Sequence, residues 1–254
     1  MRRRESARPS GSAYHWLLVP RLALEVIATS VADAVAAERG GADRLELVVD
    51  LSRGGMTPPL TLVDEILAHV GIPIRVMVRE TEAHVIADPA LAERLAAAAS
   101  EIAMRPVDGL VFGAIRDGRV DVALTNRIAR AGAERPITFH RAFEEIADQR
   151  AGIASLSSLA AVDRILTSGG PGDWATRITR LADLALAGGS RIGILVGGGV
   201  TSAMLPDIAA IPGIREVHLG RGARTPELDT APVDARRVAS VVAQLENLAD
   251  RHLG

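Results

Sequence analysis

The chain has 254 residues, 48% of them hydrophobic, and its 29 Lys+Arg against 31 Asp+Glu leave a formal net charge of -2. That is enough apolar material to bury a large core, and it leaves no basic footprint for nucleic acid or an anionic membrane, so small molecules are the expected partners. The absence of cysteine excludes disulfides, thiolate zinc sites and cysteine nucleophiles, and fits a cytoplasmic setting.

Residues 1–20 (MRRRESARPSGSAYHWLLVP) read as a flexible N-terminal arm, because no apolar stretch of signal length follows the arginines. A twin-arginine signal fits poorly, since Glu5 and Ser6 come next. No window approaches the ~18 consecutive apolar residues that span a bilayer.

From residue 21 to 254 the pattern is one domain. Eight β-type runs follow in order: 22–28, 44–49, 74–79, 107–114, 136–142, 162–168, 191–197 and 215–220. They recur at close to the roughly 30 residues per unit of a ~250-residue (β/α)8 TIM barrel. Helical segments fill the intervals. Ser30 with Asp33 reads as a capping box, and Thr57-Pro58 and Asp88-Pro89 each place a capping residue before a helix-starting proline. Continuous apolar strands alternating with helices imply a parallel sheet covered on its outside. The repeated turn in GADRLEL, PVDGLVF and AVDRILT supports one reused unit. A doubly wound open sheet is the alternative, weakened by the lack of Gly-x-Gly-x-x-Gly after the first run.

Side chains alternate faces along a strand. One face carries the charges: Glu25 in the first run, Arg44 and Glu46 in the second, Arg75 and Arg79 in the third, Thr138 and His140 in the fifth, and Glu216 and His218 in the eighth. The other face is apolar, as in Leu24/Val26, Leu45/Leu47, Ile137/Phe139 and Val217/Leu219. The apolar sets are expected to face the helices and the polar sets the barrel axis. Charges on an axis need partners. Either Glu25, Glu46, Arg75 and Arg79 satisfy one another, or they build a polar pocket at the C-terminal mouth, where barrel active sites lie. By parity His140 belongs to the axis, and Arg141 to the rim or shell.

Glycines mark the later strand ends. In Val196-Gly197-Gly198-Gly199-Val200 the backbone can approach a ligand closely, and with Gly220-Arg221-Gly222 after the last strand it occupies the place where many barrels hold phosphate. Gly198, Gly199 and Arg221 are therefore candidate binding residues, with Arg79 and with Ser168 of the Thr-Ser-Gly-Gly run after the sixth strand. For metal the donors are sparse. Copper(I) favours thiolate and thioether ligands. The five methionines are dispersed, and Met77, on the inward face, reads as core filling.

The stretches LEVIATSVADAVAAERGGADRLELVVDLSRGGMTPP, IPIRVMVRE, DGLVFGAIRDGRVD, PITFHRAFEE, VDRILTSGG, ILVGGGV and REVHLGRG resemble the CutC family, in order and at compatible spacing over nearly all of the chain after residue 21. The resemblance implies a cytoplasmic TIM barrel acting in copper homeostasis, with copper as the implied ion and no cofactor assigned otherwise. Val48 stands where the family often carries a cysteine, and Glu80 where it often carries a proline.

Two functions follow. One is a copper-handling binder, as the resemblance implies. The other is an enzyme on a small anionic ligand, phosphorylated or not, held by Arg79, Ser168, Gly198, Gly199 and Arg221, with Glu25, Glu46, His140 and His218 as acid-base residues. Isomerisation, carbon-carbon lysis and hydrolysis all suit that set. Association into a homo-oligomer is allowed, but no surface pattern names an interface.

Overall fold

Ser30, Asp88, Asp121, Asp148 and Asp173 cap five of the helices, and the apolar outer faces of the strands pack against the helical shell. The computed structural model describes residues 21–253, so the expected arm over 1–20 lies outside the described residues. Among the described residues ten strands occur in chain order: β1 (Ala23–Ala28), β2 (Arg44–Leu47), β3 (Ile74–Met77), β4 (Gly109–Phe112), β5 (Ile115–Arg116), β6 (Arg119–Val120), β7 (Ile137–Phe139), β8 (Val162–Thr167), β9 (Gly193–Val196) and β10 (Glu216–Leu219). Eight of them, all parallel, close a barrel in the order β1-β10-β9-β8-β7-β4-β3-β2. Since β1 pairs with both β2 and β10, the open-sheet alternative is excluded.

The helices are α1 (Val31–Arg39), α2 (Leu60–His69), α3 (Pro89–Ala103), α4 (Val122–Ala131), α5 (Gln149–Ser157), α6 (Trp174–Gly188), α7 (Leu205–Ala209) and α8 (Ala235–Leu253). With the closed sheet they make a (β/α)8 TIM barrel. Strands β5 and β6, not expected from the sequence, form a small antiparallel ribbon turned by Asp117 and Gly118, both at positive φ. Asp-Gly is the usual chemistry of such a turn.

Two of the three expected caps need correction. Asp88 caps α3 as expected, accepting from the Ala90 N–H. Ser30 accepts from the Asp33 N–H, but the Asp33 carboxylate does not return to Ser30. It takes the N–H and hydroxyl of Thr29, the Val233 N–H and the Arg224 guanidinium, tying the first βα turn to the loop after β10. Thr57 caps nothing: α2 is entered from Pro59 without a side-chain cap, and the Thr57 hydroxyl bridges the Arg79 carbonyl (3.0 Å) and N–H (2.7 Å).

Strand parity holds. Leu24, Val26, Leu45, Leu47, Ile137, Phe139, Val217 and Leu219 are all buried in the core shared with the helices. Removing each such side chain from water stabilises the fold by about 1.5–3 kcal/mol. Ile27, Val48, Met77 and Val111 form a separate cluster on the axis side. Inward glycines make room for the large polar side chains. A Cβ on Gly113 would stand 2.6 Å from Nδ1 of His140, and one on Gly197 would stand 3.0 Å from Cδ2 of His218. Gly113→Ala is therefore expected to push the His140 ring aside and cost about 1–3 kcal/mol, the usual penalty of overpacking. Chemical denaturation and the His140 ring nitrogen shifts check this; an unchanged ring environment would contradict it.

Candidate functional site

Charges on the barrel axis pair in a line of alternating sign. It begins near the N-terminal strand ends, where Arg75 bridges Asp108 (3.1 Å) and Asp163 (2.7 Å), and Asp163 meets Arg164 (3.2 Å). Arg164 then contacts Glu216 (2.8 Å), Glu216 contacts Arg44 (2.5 Å), and Arg44 contacts Glu25 (2.5 Å). Glu25 accepts from Nδ1 of His218 at 2.8 Å, and Nε2 of His218 lies 3.7 Å from Glu46. The parallel register explains the order: β1 and β10 align Glu25 with His218, and β1 and β2 align Glu25 with Arg44.

Of the two arrangements open to Glu25, Glu46, Arg75 and Arg79, the closed network among the four does not form: Glu25 and Arg75 pair with other residues. Arg44, Arg164, Glu216 and Asp163 do the pairing. Sequence reading missed Asp108, Asp163 and Arg164, although Arg164 shares parity with Leu166 and Ser168 on β8 and its extension.

Above this line a cavity of about 660 Å³ opens at the C-terminal strand ends. Of the candidate residues, Glu46, Arg79, His140, His218, Gly198, Gly199 and Arg221 line it. Glu25 does not line the cavity; it lies beneath the wall, in contact with His218. Ser168 does not line the cavity: its N–H donates to Glu144 and its hydroxyl accepts from the Gly170 N–H. Arg79 commits three donors to the carbonyls of Gly54, Thr81 and Glu82 at 3.0, 2.9 and 2.7 Å, so much of its work is bracing loops. Arg221 lies 3.8 Å from Asp229 at the rim. Arg141 reaches the rim and binds Glu144 at 2.7 Å. His84, from the loop after β3, also lines the cavity, its ring 5.1 Å from that of His140 and its Nδ1 2.6 Å from Glu145.

Environment separates the titrating groups. Burial pushes the Glu25 carboxyl up, but Arg44 and the His218 hydrogen bond outweigh it and hold the group far below the usual carboxylate range. For Glu46, burial dominates and repulsion from Glu25 adds to it; His218, Arg44 and Arg79 offset only part, and the carboxyl is pushed up to about 7. Its Oε1 is buried without a hydrogen-bond partner. Burial alone would lower His218, yet Glu46 and Glu25 raise it above the ordinary value. Burial, followed by His84 and Arg79, holds His140 well below the ordinary histidine range, so its ring is neutral at pH 7. Because the Ala142 N–H donates to Nδ1 of His140 at 3.1 Å, the ring proton sits on Nε2.

The site can therefore offer a proton-exchanging carboxyl at Glu46, a fixed N–H donor at His140 and an apolar wall including Ile27, Val48 and Met77. A copper ion fits these donors poorly. There is no thiolate, among the described residues one methionine (Met77) reaches the cavity, and both His218 nitrogens face carboxylates. Among the described residues no three His, Cys, Asp or Glu are grouped to hold a metal ion, and no helix is long and apolar enough to cross a membrane.

The family model described as "CutC family" matches residues 22–223. A human protein named "Copper homeostasis protein cutC homolog" is 35% identical over 196 residues, 77% of this chain and 71% of that one. A protein of Klebsiella pneumoniae named as a family protein CutC is 36% identical over 203 residues, covering 78% of this chain and 80% of its own. The crystal structure of the putative copper homeostasis protein CutC from Streptococcus agalactiae superposes with a TM-score of 0.71 at 26% identity, covering 78% of this chain and 97% of that one.

Proposed function

The chain belongs to the CutC family, and from that premise we propose that it serves in copper homeostasis, the role in the names of several of its relatives, with the barrel-mouth cavity as its working site. The observation that carries this reading is the family match across residues 22–223, a span that contains Glu25, Glu46, His140 and His218. A cytoplasmic location is part of the proposal and is supported by the cysteine-free composition. The donor set argues against tight retention of copper itself, so the role is better met by chemistry on a small ligand than by storage of the ion.

The buried, partnerless Oε1 of Glu46 favours a second, compatible reading as an enzyme. Glu46 would take or give a proton on the ligand, His218 would stabilise the carboxylate so formed, and Glu25 would orient His218. Neutral His140 would donate its Nε2–H to a ligand oxygen, and Arg141 and Arg221 would meet any anionic end at the rim. Such an arrangement separates two carboxylates into an ionised orienter and a proton-exchanging acid or base, the recurrent sign of acid-base chemistry.

Two measurements test these readings. Competition between the protein and a strong copper(I) chelator under anaerobic conditions should show no one-to-one site; a tight site abolished by Met77→Ala would overturn the argument against retention. In cells deleted for the gene, copper tolerance should be restored by the wild type and not by Glu46→Gln. A deletion without any copper phenotype would sink the homeostasis reading.

A further inference from the structure

Each interior member of the line from Arg164 to His218 sits between groups of opposite charge, but Glu46, at the end, has only one. His218 is its neighbour at 3.7 Å, and the same imidazole is held more closely by Glu25 at 2.8 Å. Glu25 and Glu46 therefore compete for one cation. What decides the competition lies deeper. Arg44 holds the other Glu25 oxygen through Nε at 2.5 Å while Glu216 anchors its Nη2 at 2.5 Å, so Glu25 is both ionised and fixed in place. Arg44 is itself buried and does not line the cavity.

We infer that Arg44 is a positioning residue which, acting through Glu25 and His218, keeps Glu46 as the group that exchanges a proton with the cavity ligand. The inference rests on the acid-base reading of the mouth. The charged groups that act on Glu46 are Glu25 of β1, Arg44 of its own strand, Arg79 after β3 and His218 of β10; Arg75 stands beside it in the strand register, and His140 lines the same cavity. Arg75 is taken up by Asp108 and Asp163, and Arg79 donates to backbone carbonyls. Neither replaces Arg44. Without Arg44, Glu46 would lose the direct pull of that charge, and Glu25 would draw on His218 alone, leaving less of that cation for Glu46. Without the charge of Glu25, His218 would turn to Glu46. The two changes should act in opposite directions, whereas a loosened barrel that admits water would move Glu46 towards an ordinary carboxyl in both.

The experiment is a carbon-13 titration of the glutamate carboxyls in the ligand-free protein, with Glu46 assigned by Glu46→Gln. Glu46 of the wild type should titrate near neutrality. Arg44→Met should move that titration up by about one pH unit or more, Glu25→Gln should move it down, and Arg44→Lys should bring it back towards the wild type. Arg44→Gln, the milder change, gives the same readout if Arg44→Met does not fold. An Arg44 variant that leaves the titration in place, or moves it the same way as Glu25→Gln does, overturns the inference. If wild-type Glu46 does not titrate near neutrality at all, the acid-base reading itself falls.

Discussion

Glu216→Gln should destabilise the barrel by about 3–5 kcal/mol, because it removes one of the two carboxylates that hold each of two buried arginines, leaving Arg44 with Glu25 and Arg164 with Asp163. Arg44 and Arg164 approach Glu216 at 2.5 and 2.8 Å, and all three residues are buried. The substitution keeps the shape and removes only the charge, so the loss reports electrostatics rather than a cavity. A control lies at the rim. Glu227 pairs with Arg237 in a half-exposed setting, where a single ion pair contributes about 0–1 kcal/mol. Midpoints of chemical denaturation for Glu216→Gln and Glu227→Gln make the comparison. Equal small losses would mean that water reaches the axis and that the buried line contributes no more than a surface pair.

A large loss on breaking the line would not mean that the line was selected for stability. Buried ion pairs roughly break even against well-packed apolar side chains, because desolvation offsets most of the attraction. Their advantage here is orientation. An apolar axis could not fix a carboxylate at Glu25, and without that carboxylate the imidazole of His218 would have no preferred partner. The interior charges thus connect the strand register to the chemistry of the mouth.

Register also explains which parts of the site were legible in the sequence. Alternation within a strand is local, so Glu25, Glu46, His140 and His218 could be assigned to the axis from their own neighbours, and the apolar sets to the helices. Partner choice is not local. Glu25 stands beside Arg44, while Glu46 stands beside Ile27 on β1, because of the offset between β1 and β2; sequence alone leaves Arg75 and Arg79 equally plausible as partners. The same limit applies to Thr57. A hydroxyl before a proline is an ordinary cap signal, and nothing nearby shows that the backbone of Arg79 will claim it. Ser168 has suitable chemistry and lies at the end of an inward strand, but Glu144 takes its N–H. His84 escaped notice because it sits on a loop, where parity has no meaning.

The pH dependence of stability gives the most direct test of Glu46. Its folded-state carboxyl is pushed up to about 7 from an ordinary value of 4.5, so between those pH values the folded protein holds a proton that the unfolded chain has released. Stability must therefore fall as pH rises through that window, by about 3 kcal/mol from this group alone. His218, raised in the fold, acts in the same sense: its contribution is complete below its ordinary value and is lost as pH climbs through the folded one. His140 acts oppositely, since a histidine held neutral stabilises the fold above its ordinary value and loses that contribution as pH falls. The wild-type curve mixes the three, and subtraction isolates Glu46. Relative to the wild type, Glu46→Gln should gain stability steadily from about pH 4.5 to pH 7, with a total gain on the order of 3 kcal/mol, reduced by whatever His218 loses when its neighbouring carboxylate disappears. Denaturation at closely spaced pH values measures the difference. A flat difference would mean that Glu46 is ionised in the folded protein throughout, and the cavity would then hold a fixed anion rather than a proton-exchanging group.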